Sequence, residues 1–78
     1  MSNIITANEI EKWLKKIRPI IEKIHLKTPQ AQEMYENMKA YISDSNHFLE
    51  NGDYVRAFEA VIWAWAIYEI CMKLGVFE

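Results

Sequence analysis

The sequence is poor in the residues that form cross-links and metal cages. Cys71 is the only cysteine and there are two histidines, which excludes an intrachain disulfide and a zinc site of the usual cysteine and histidine kind. The chain has only two glycines and two prolines, and 51% of its 78 residues are hydrophobic. That composition excludes a disordered chain and predicts one small folded domain, with the lone cysteine in its core.

Long hydrophobic segments are also absent. The longest apolar run, AVIWAWAIY at residues 60–68, lies between Glu59 and Glu69. A helix that crosses a bilayer needs about 20 apolar residues, so this run is too short to do so. The amino-terminal MSNIITANEIEKW lacks the basic and then apolar pattern of a signal peptide. We therefore expect a cytoplasmic protein with no membrane partner.

Helix-end signals divide the chain into three segments. Thr6 and Glu9 have the spacing of a capping box, in which each side chain bonds a free backbone N–H of the other residue. Thr28 followed by Pro29 is typical of the start of a second helix. Gly52 suits the left-handed residue that ends that helix, and the next residue caps a third helix. Because this second turn is so short, the second and third helices must be antiparallel.

These signals predict helices over about residues 7–26, 29–51 and 54–74, within a single domain that covers 1–78. Pro19 lies opposite the apolar stripe of the first helix and lacks the N–H that the helix would use there. The predicted fold class is all-α, an antiparallel up-down-up three-helix bundle whose first helix is kinked near Pro19.

The short turn also predicts which side chains meet between the second and third helices. Ser45 should lie near Ala60 and donate its hydroxyl proton back to its own helix. Large side chains of the second helix should face small or apolar ones of the third, as close packing requires. The predicted contacts are Phe48 with Ala57, Tyr41 with Ala64, and Met38 with Ile67 or Tyr68.

The third helix has apolar residues on two sides. Its inward seam is predicted to hold Ala57, Val61, Ala64, Tyr68 and Cys71. A second apolar arc consists of Trp63, Ala66 and Ile70, beside Glu59. Both arcs cannot face one core, because a helix of a three-helix bundle buries about half of its circumference. Either the second arc packs on the edge of the first helix, or it is an exposed patch that binds a protein partner or a second copy.

Charge is unevenly distributed along the chain. Residues 1–28 hold six Lys and Arg against three Glu, and residues 29–78 hold three basic against eight acidic residues, so the two parts carry +3 and −5. A basic stripe on the outer face of the first helix could follow a phosphate backbone, although an ordinary solvated face has the same pattern. The candidate nucleic-acid-binding residues are Lys12, Lys16, Lys23 and Lys27.

The sequence contains little that could carry out a reaction. Glu22 and His25 have the Glu-x-x-His spacing of di-iron bundles, but such sites need that motif twice and two further glutamates. His47 lies beside Asp44 and Glu50 with no nucleophile near it in the sequence. We expect no enzyme activity, no catalytic residues, no cofactor and no metal. The expected function is a protein-interaction or scaffolding module, and the alternative is a nucleic-acid-associated accessory protein.

Residues 40–77 carry a spaced pattern that resembles an archaeal family of small helical proteins, domain of unknown function 357. The family pattern runs Tyr-x-x-Asp-(Ala/Ser)-x-x-Phe, then Gly-Asp-(x)3-Ala-Phe, a Tyr-Ala-His-Gly-Trp-Leu-Asp-like block and a terminal Leu-Gly. The matching positions are Tyr41, Asp44, Ser45, Phe48, Gly52, Asp53, Ala57, Phe58, Ala64, Leu74 and Gly75. Residues 63–66 read Trp-Ala-Trp-Ala where the family often has Tyr-Ala-His-Gly. The resemblance implies a three-helix bundle and an archaeal cytosolic origin, but no activity.

Most of the matched residues have structural explanations as caps, turns or packing positions. Asp44 is different, because no cap or turn accounts for it. Its place near the third helix predicts a hydrogen bond or ion pair with Arg56 or with the indole N–H of Trp63.

Overall fold

The computed structural model describes residues 5–78, which fold into three α-helices. Helix α1 spans Ala7–Lys23, α2 spans Pro29–Glu50 and α3 spans Tyr54–Lys73. Helices α2 and α3 are the most extensively packed pair, and α1 packs on both. The all-α three-helix bundle predicted from the sequence is therefore confirmed.

Helix α1 begins at the predicted residue and ends earlier than predicted. Only half of the predicted capping box forms, because in residues 5–78 the Glu9 carboxylate accepts no bond from the Thr6 N–H. Thr6 caps it by accepting a hydrogen bond from the backbone N–H of Glu9 at 3.2 Å. The helix continues through Pro19, so the proline does not divide it, and a bend there stays a prediction. The chain leaves the helix after Lys23, short of the predicted end at residue 26, because Ile24 is extended (φ −68°, ψ 133°).

This early exit lets the α1–α2 connection pair with the carboxyl-terminal residues. The N–H of His25 donates to the carbonyl of Glu78 at 2.8 Å, and the N–H of Glu78 donates back at 2.9 Å. An antiparallel bridge joins Leu26 and Phe77, and the Phe77 side chain is 2% exposed within the core. The sequence analysis predicted neither this bridge nor the burial of Phe77.

The turn between α2 and α3 has the predicted form. Gly52 adopts φ +75°, and its N–H donates to the carbonyl of Leu49 at 3.1 Å. The N–H of Asp53 donates to the carbonyl of Phe48 at 2.9 Å, which completes a Schellman cap. The Asp53 carboxylate then accepts from the N–H of Arg56 at 3.2 Å and starts α3.

The core lies mostly between α2 and α3, and α1 closes it. Phe48 packs against the cluster that holds Ala57, while Tyr41 packs against the one that holds Met38 and Ala64. The predicted bond of Ser45 was wrong: its buried hydroxyl donates across the bundle to the carbonyl of Ala57 on α3, at 2.7 Å. The fully or almost fully buried residues of α3 are Ala57, Ala60, Val61, Ala64, Ile67 and Cys71.

Candidate interaction surface on helix three

Helix α3 is apolar on most of its circumference, and only one side of it is buried. A helix with this pattern is normally enclosed by protein on all sides. In this bundle, the side that faces away from α1 and α2 is instead open to solvent: Trp63 and Ile70 are each 55% exposed, and Ile62 is 40% exposed. Of the two alternatives for the second apolar arc, the structure therefore supports the exposed patch.

We define the outer face of α3 as the seven residues that share this side. Ala66 lies at its centre, because Ile62 and Ile70 are one turn away in the two directions. Charged residues lie two turns from Ala66, with Glu59 toward the start of the helix and Lys73 toward its end. The outer face consists of Glu59, Ile62, Trp63, Ala66, Glu69, Ile70 and Lys73.

A groove runs along one side of the outer face. Its volume is about 390 Å³, and Trp13 and Trp65 form one wall of it. The outer-face residues that line it are Ile62, Ala66, Glu69, Ile70 and Lys73. The two indoles meet edge to face with ring centroids 5.8 Å apart. The Trp65 indole N–H also donates to the carbonyl of Trp13 at 3.3 Å. These contacts hold the wall of the groove in one arrangement.

The other side of the outer face ends at Trp63. Its ring stacks on Tyr41 of α2 with centroids 6.1 Å apart and an interplanar angle of 19°. Within residues 5–78, no hydrogen bond involves the Trp63 indole N–H. A large, preordered aromatic side chain with a free donor is typical of residues that anchor protein interfaces.

Asp44 lies beside Trp63 without the partner that the sequence predicted. It lines an open depression with Tyr41, Phe48, Arg56 and Trp63, but its side chain is exposed. Arg56 pairs instead with Asp53, with Nε 3.7 Å from the carboxylate, and its guanidinium lies 6.0 Å from the Phe48 ring centroid. The predicted bond of Asp44 to Arg56 or to the Trp63 indole was therefore wrong in the described part of the chain.

Other residues of the family pattern have structural roles in turns, caps and packing. Gly52 and Asp53 form the turn and cap between α2 and α3, and Ala57 is fully buried at the contact of the two helices. Phe58 is half-buried and packs against the amino-terminal end of the core, as does Phe48. Among these residues only Asp53 carries an ionisable side chain, and its carboxylate caps α3.

The four candidate lysines are exposed but do not form one helical stripe. Lys12, Lys16 and Lys23 lie on α1, whereas Lys27 lies beyond its end, in the connection to α2. Lys27 forms an ion pair with Glu78, with the Nζ atom 3.8 Å from the carboxylate. Lys16 lies over the Trp13 ring, 5.3 Å from its centroid. The predicted four-lysine stripe therefore reduces to three residues on the helix.

The side chains that could bind a metal or take part in catalysis do not form a cluster in residues 5–78. His25 follows the end of α1, so it does not share a helix with Glu22 as the Glu-x-x-His reading required. Among residues 5–78, no three His, Cys, Asp or Glu side chains lie close enough to hold a metal ion. The Cys71 thiol is 2% exposed, and burial raises its pKa. In the same residues, no helix is long and apolar enough to span a membrane.

Comparison with known proteins places this helical bundle in a class. Residues 7–77 match the family model described as "Protein of unknown function (DUF357)", so the match also includes helix α1. The chain belongs to the DUF357 family. It is similar to the crystal structure of a DUF357 protein from Archaeoglobus fulgidus, with a TM-score of 0.84 and 43% sequence identity over 92% of this chain and 90% of the other. No curated protein matches the sequence.

The sequence analysis missed one apolar residue of the outer face. It placed Trp63, Ala66 and Ile70 on the second arc but left out Ile62, which is also exposed and lines the groove. The signal was present in the sequence, because Ile62 is four residues before Ala66 and therefore one turn away on the same side of the helix.

Proposed function

We propose that this protein is a non-enzymatic, cytoplasmic interaction module that self-associates through the outer face of α3. The proposal depends mainly on one observation, the exposure of Ile62, Trp63 and Ile70 on one side of a single helix. Scattered exposed apolar residues are ordinary, but a contiguous patch that includes a tryptophan is typical of an interface.

Self-association is also favoured by the size of the domain. A chain of 78 residues buries a small core, and such domains rarely exceed about 3–5 kcal/mol of stability on their own. Removing apolar surface from water contributes about 25 cal/mol per Å². Contact between two copies of the outer face would therefore stabilise the folded chain, and its melting temperature would rise with protein concentration.

The direct test measures molecular mass by sedimentation from about 1 µM to about 0.5 mM, the range in which weak dimers form. We expect the mass to rise toward that of a dimer. Ile62→Gln should raise the dimer dissociation constant about tenfold or more, because both copies lose a buried side chain. Met72→Gln is the matched control, because Met72 is equally exposed at 40% but lies outside the outer face, in a depression lined by Ile20 and Tyr68. A strict monomer throughout would refute the proposal.

A second candidate function uses the basic residues of α1. Lys12, Lys15 and Lys16 are exposed together around one shallow depression near the start of the helix, and a cluster of this kind can contact nucleic-acid phosphates. The test is fluorescence anisotropy with labelled single-stranded RNA and duplex DNA at low salt. Binding that weakens with salt and with Lys12→Glu, but not with the control Lys39→Glu on α2, would support it. Anisotropy that stays flat with both probes would reject it.

A further inference from the structure

The outer face of α3 has a pattern that is symmetric about Ala66. Ile62 and Ile70 lie four residues before and after it, and both are exposed. Glu59 and Lys73 lie seven residues before and after it, and their charges are opposite. The remaining pair is Trp63 and Glu69, which lie three residues before and after Ala66. The indole of Trp63 is a hydrogen-bond donor, and the carboxylate of Glu69 is an acceptor.

An antiparallel pair of identical helices brings each position together with its counterpart on the other side of the centre. We propose that two copies of the chain pack α3 against α3 in antiparallel orientation, with the helices crossing at Ala66. Each Ile62 then contacts Ile70 of the second copy, and each Glu59 pairs with Lys73 of the second copy. The inference rests on the proposed self-association and adds its orientation and register.

The polar groups of the outer face are complementary only in this orientation. The Trp63 indole N–H, which has no hydrogen bond in the described residues, would lie within reach of the Glu69 carboxylate of the second copy. A parallel pairing would instead oppose Glu59 to Glu59 and Lys73 to Lys73. Like charges at facing positions disfavour that arrangement, and opposite charges select the antiparallel one.

The size and shape of the surface are consistent with such a contact. The methyl group of Ala66 allows close approach at the crossing, and the groove of about 390 Å³ between it and Trp65 can accept an isoleucine side chain of the second copy. Positions seven residues from the crossing lie about 10 Å along the helix axis. If the two helices cross at an angle of about 20°, the facing positions on the two copies remain adjacent. If they cross at about 50°, these positions separate sideways by about 9 Å. The shallow angle is therefore part of the proposal.

Charge exchange tests the register. Glu59→Lys alone or Lys73→Glu alone places like charges at both ends of the interface, and each should raise the dimer dissociation constant about tenfold at low salt. The double variant Glu59→Lys with Lys73→Glu should restore association to within about threefold of the original chain. An equimolar mixture of the two single variants should form a heterodimer, because only the mixed pair has opposite charges at both ends.

Glu33→Lys on α2 is the control for Glu59→Lys, because it makes the same charge change on an exposed residue of another helix. We expect it to leave the dissociation constant unchanged. Circular dichroism at low concentration checks that every variant is folded, and added salt should reduce the differences among them.

The outcomes separate the register from the proposed function. A dimer that Ile62→Gln weakens but that ignores both charge reversals would keep the self-association and overturn the register. Single reversals that weaken the dimer without rescue in the double variant or in the mixture would also overturn it. A chain that is monomeric at every concentration would overturn both proposals.

Discussion

Ser45 shows how one buried polar atom can join two helices. Its side chain is fully buried, and its hydroxyl donates to the carbonyl of Ala57 at 2.7 Å. Serine in a helix usually bonds back to its own backbone, which is why the sequence analysis assigned that bond. Here α3 approaches closely because Ala57 is small, so a carbonyl of the neighbouring helix comes within reach.

Ser45→Ala should lower the free energy of unfolding by about 1–2 kcal/mol, because a buried hydrogen bond is lost. The measurement is urea denaturation followed by circular dichroism, with the midpoint compared at constant slope. Ser43→Ala is the matched control, because Ser43 is an exposed serine of the same helix and gains the same helix propensity. Equal midpoints for the two variants would contradict the role given to the bond.

Cys71 should be almost inert toward thiol reagents while the chain is folded. Its side chain is 2% exposed, and burial raises its pKa, so both access and the thiolate fraction are reduced. We expect a thiolate-specific reagent at pH 8 to label the folded protein about 100-fold or more slowly than the chain unfolded in urea. Because the folded-state pKa is the higher one, the contribution of this thiol to stability is complete at neutral pH and declines as pH rises through the ordinary thiol range. Labelling at equal rates in both states would contradict the burial.

At the scale of the elements, the turn between α2 and α3 determines how the two helices pair. Gly52 has a positive φ, and the Schellman bonds around it reverse the chain within a few residues. This reversal brings Ser45 and Phe48 opposite the start of α3. The sequence signal for the turn was strong because a left-handed residue at a helix end is usually glycine.

Gly52→Ala should destabilise the protein by about 1–2 kcal/mol, the cost of a left-handed conformation for a residue with a Cβ atom. Within residues 5–78, no heavy atom outside Gly52 and its two chain neighbours lies within 4 Å of the position where that Cβ would be, so steric contact with the rest of the bundle adds nothing. Gly52→Asn should cost less, because asparagine tolerates this conformation better. Thermal or urea unfolding of the two variants checks the order, and an alanine variant as stable as the original would contradict it.

At the scale of the whole molecule, the carboxyl-terminal residues are tied to the connection between α1 and α2. The connection between α1 and α2 pairs with the carboxyl-terminal residues through His25 and Glu78, and Phe77 enters the core beside Ile17 and Cys71. The contact joins residues that are far apart in the sequence. It therefore positions α1 against the α2–α3 pair, together with the bond from the Tyr35 hydroxyl to the carbonyl of Ile21 at 3.0 Å.

Phe77→Ala should cost about 3–5 kcal/mol, the usual loss when a buried phenylalanine is removed. A domain of this size has about that much stability in total, so a large unfolded fraction is expected at 25 °C. Leu74→Ala is the control, since Leu74 is a large apolar residue nearby that is 71% exposed and should lose little. Circular dichroism and urea titration of both variants test the difference. A Phe77→Ala protein as stable as the control would show that the tail does not support the core.

The sequence predicted local features well and distant pairings less well. The Thr6 cap, the Gly52 turn and the inward placement of Ala57 and Ala64 depend on neighbouring residues, whose patterns are visible in the sequence. Asp44 lies near α3 as predicted, but its partner was predicted wrongly, because Arg56 pairs with Asp53 instead.

The end of α1 and the exposure of the second apolar arc depended on the bundle as a whole. The periodic pattern of α1 extends to residue 26. The backbone groups near the end of that pattern form hydrogen bonds with the carboxyl-terminal residues instead of helical ones. The candidate surface was half predictable, because helical spacing placed Trp63, Ala66 and Ile70 on one side but could not decide what covers that side.

The sequence by itself determined three helices, their caps and the antiparallel turn, because these depend on hydrogen bonds and side-chain spacing within a few residues. Only the tertiary structure decided that Phe77 is buried, that Ser45 bonds across the bundle and that the side of α3 around Ala66 faces solvent. The physical reason is that one helix of a small bundle can present only part of its circumference to two neighbours. For α3, whose apolar residues surround the helix, the packing of α1 and α2 selected which part that would be.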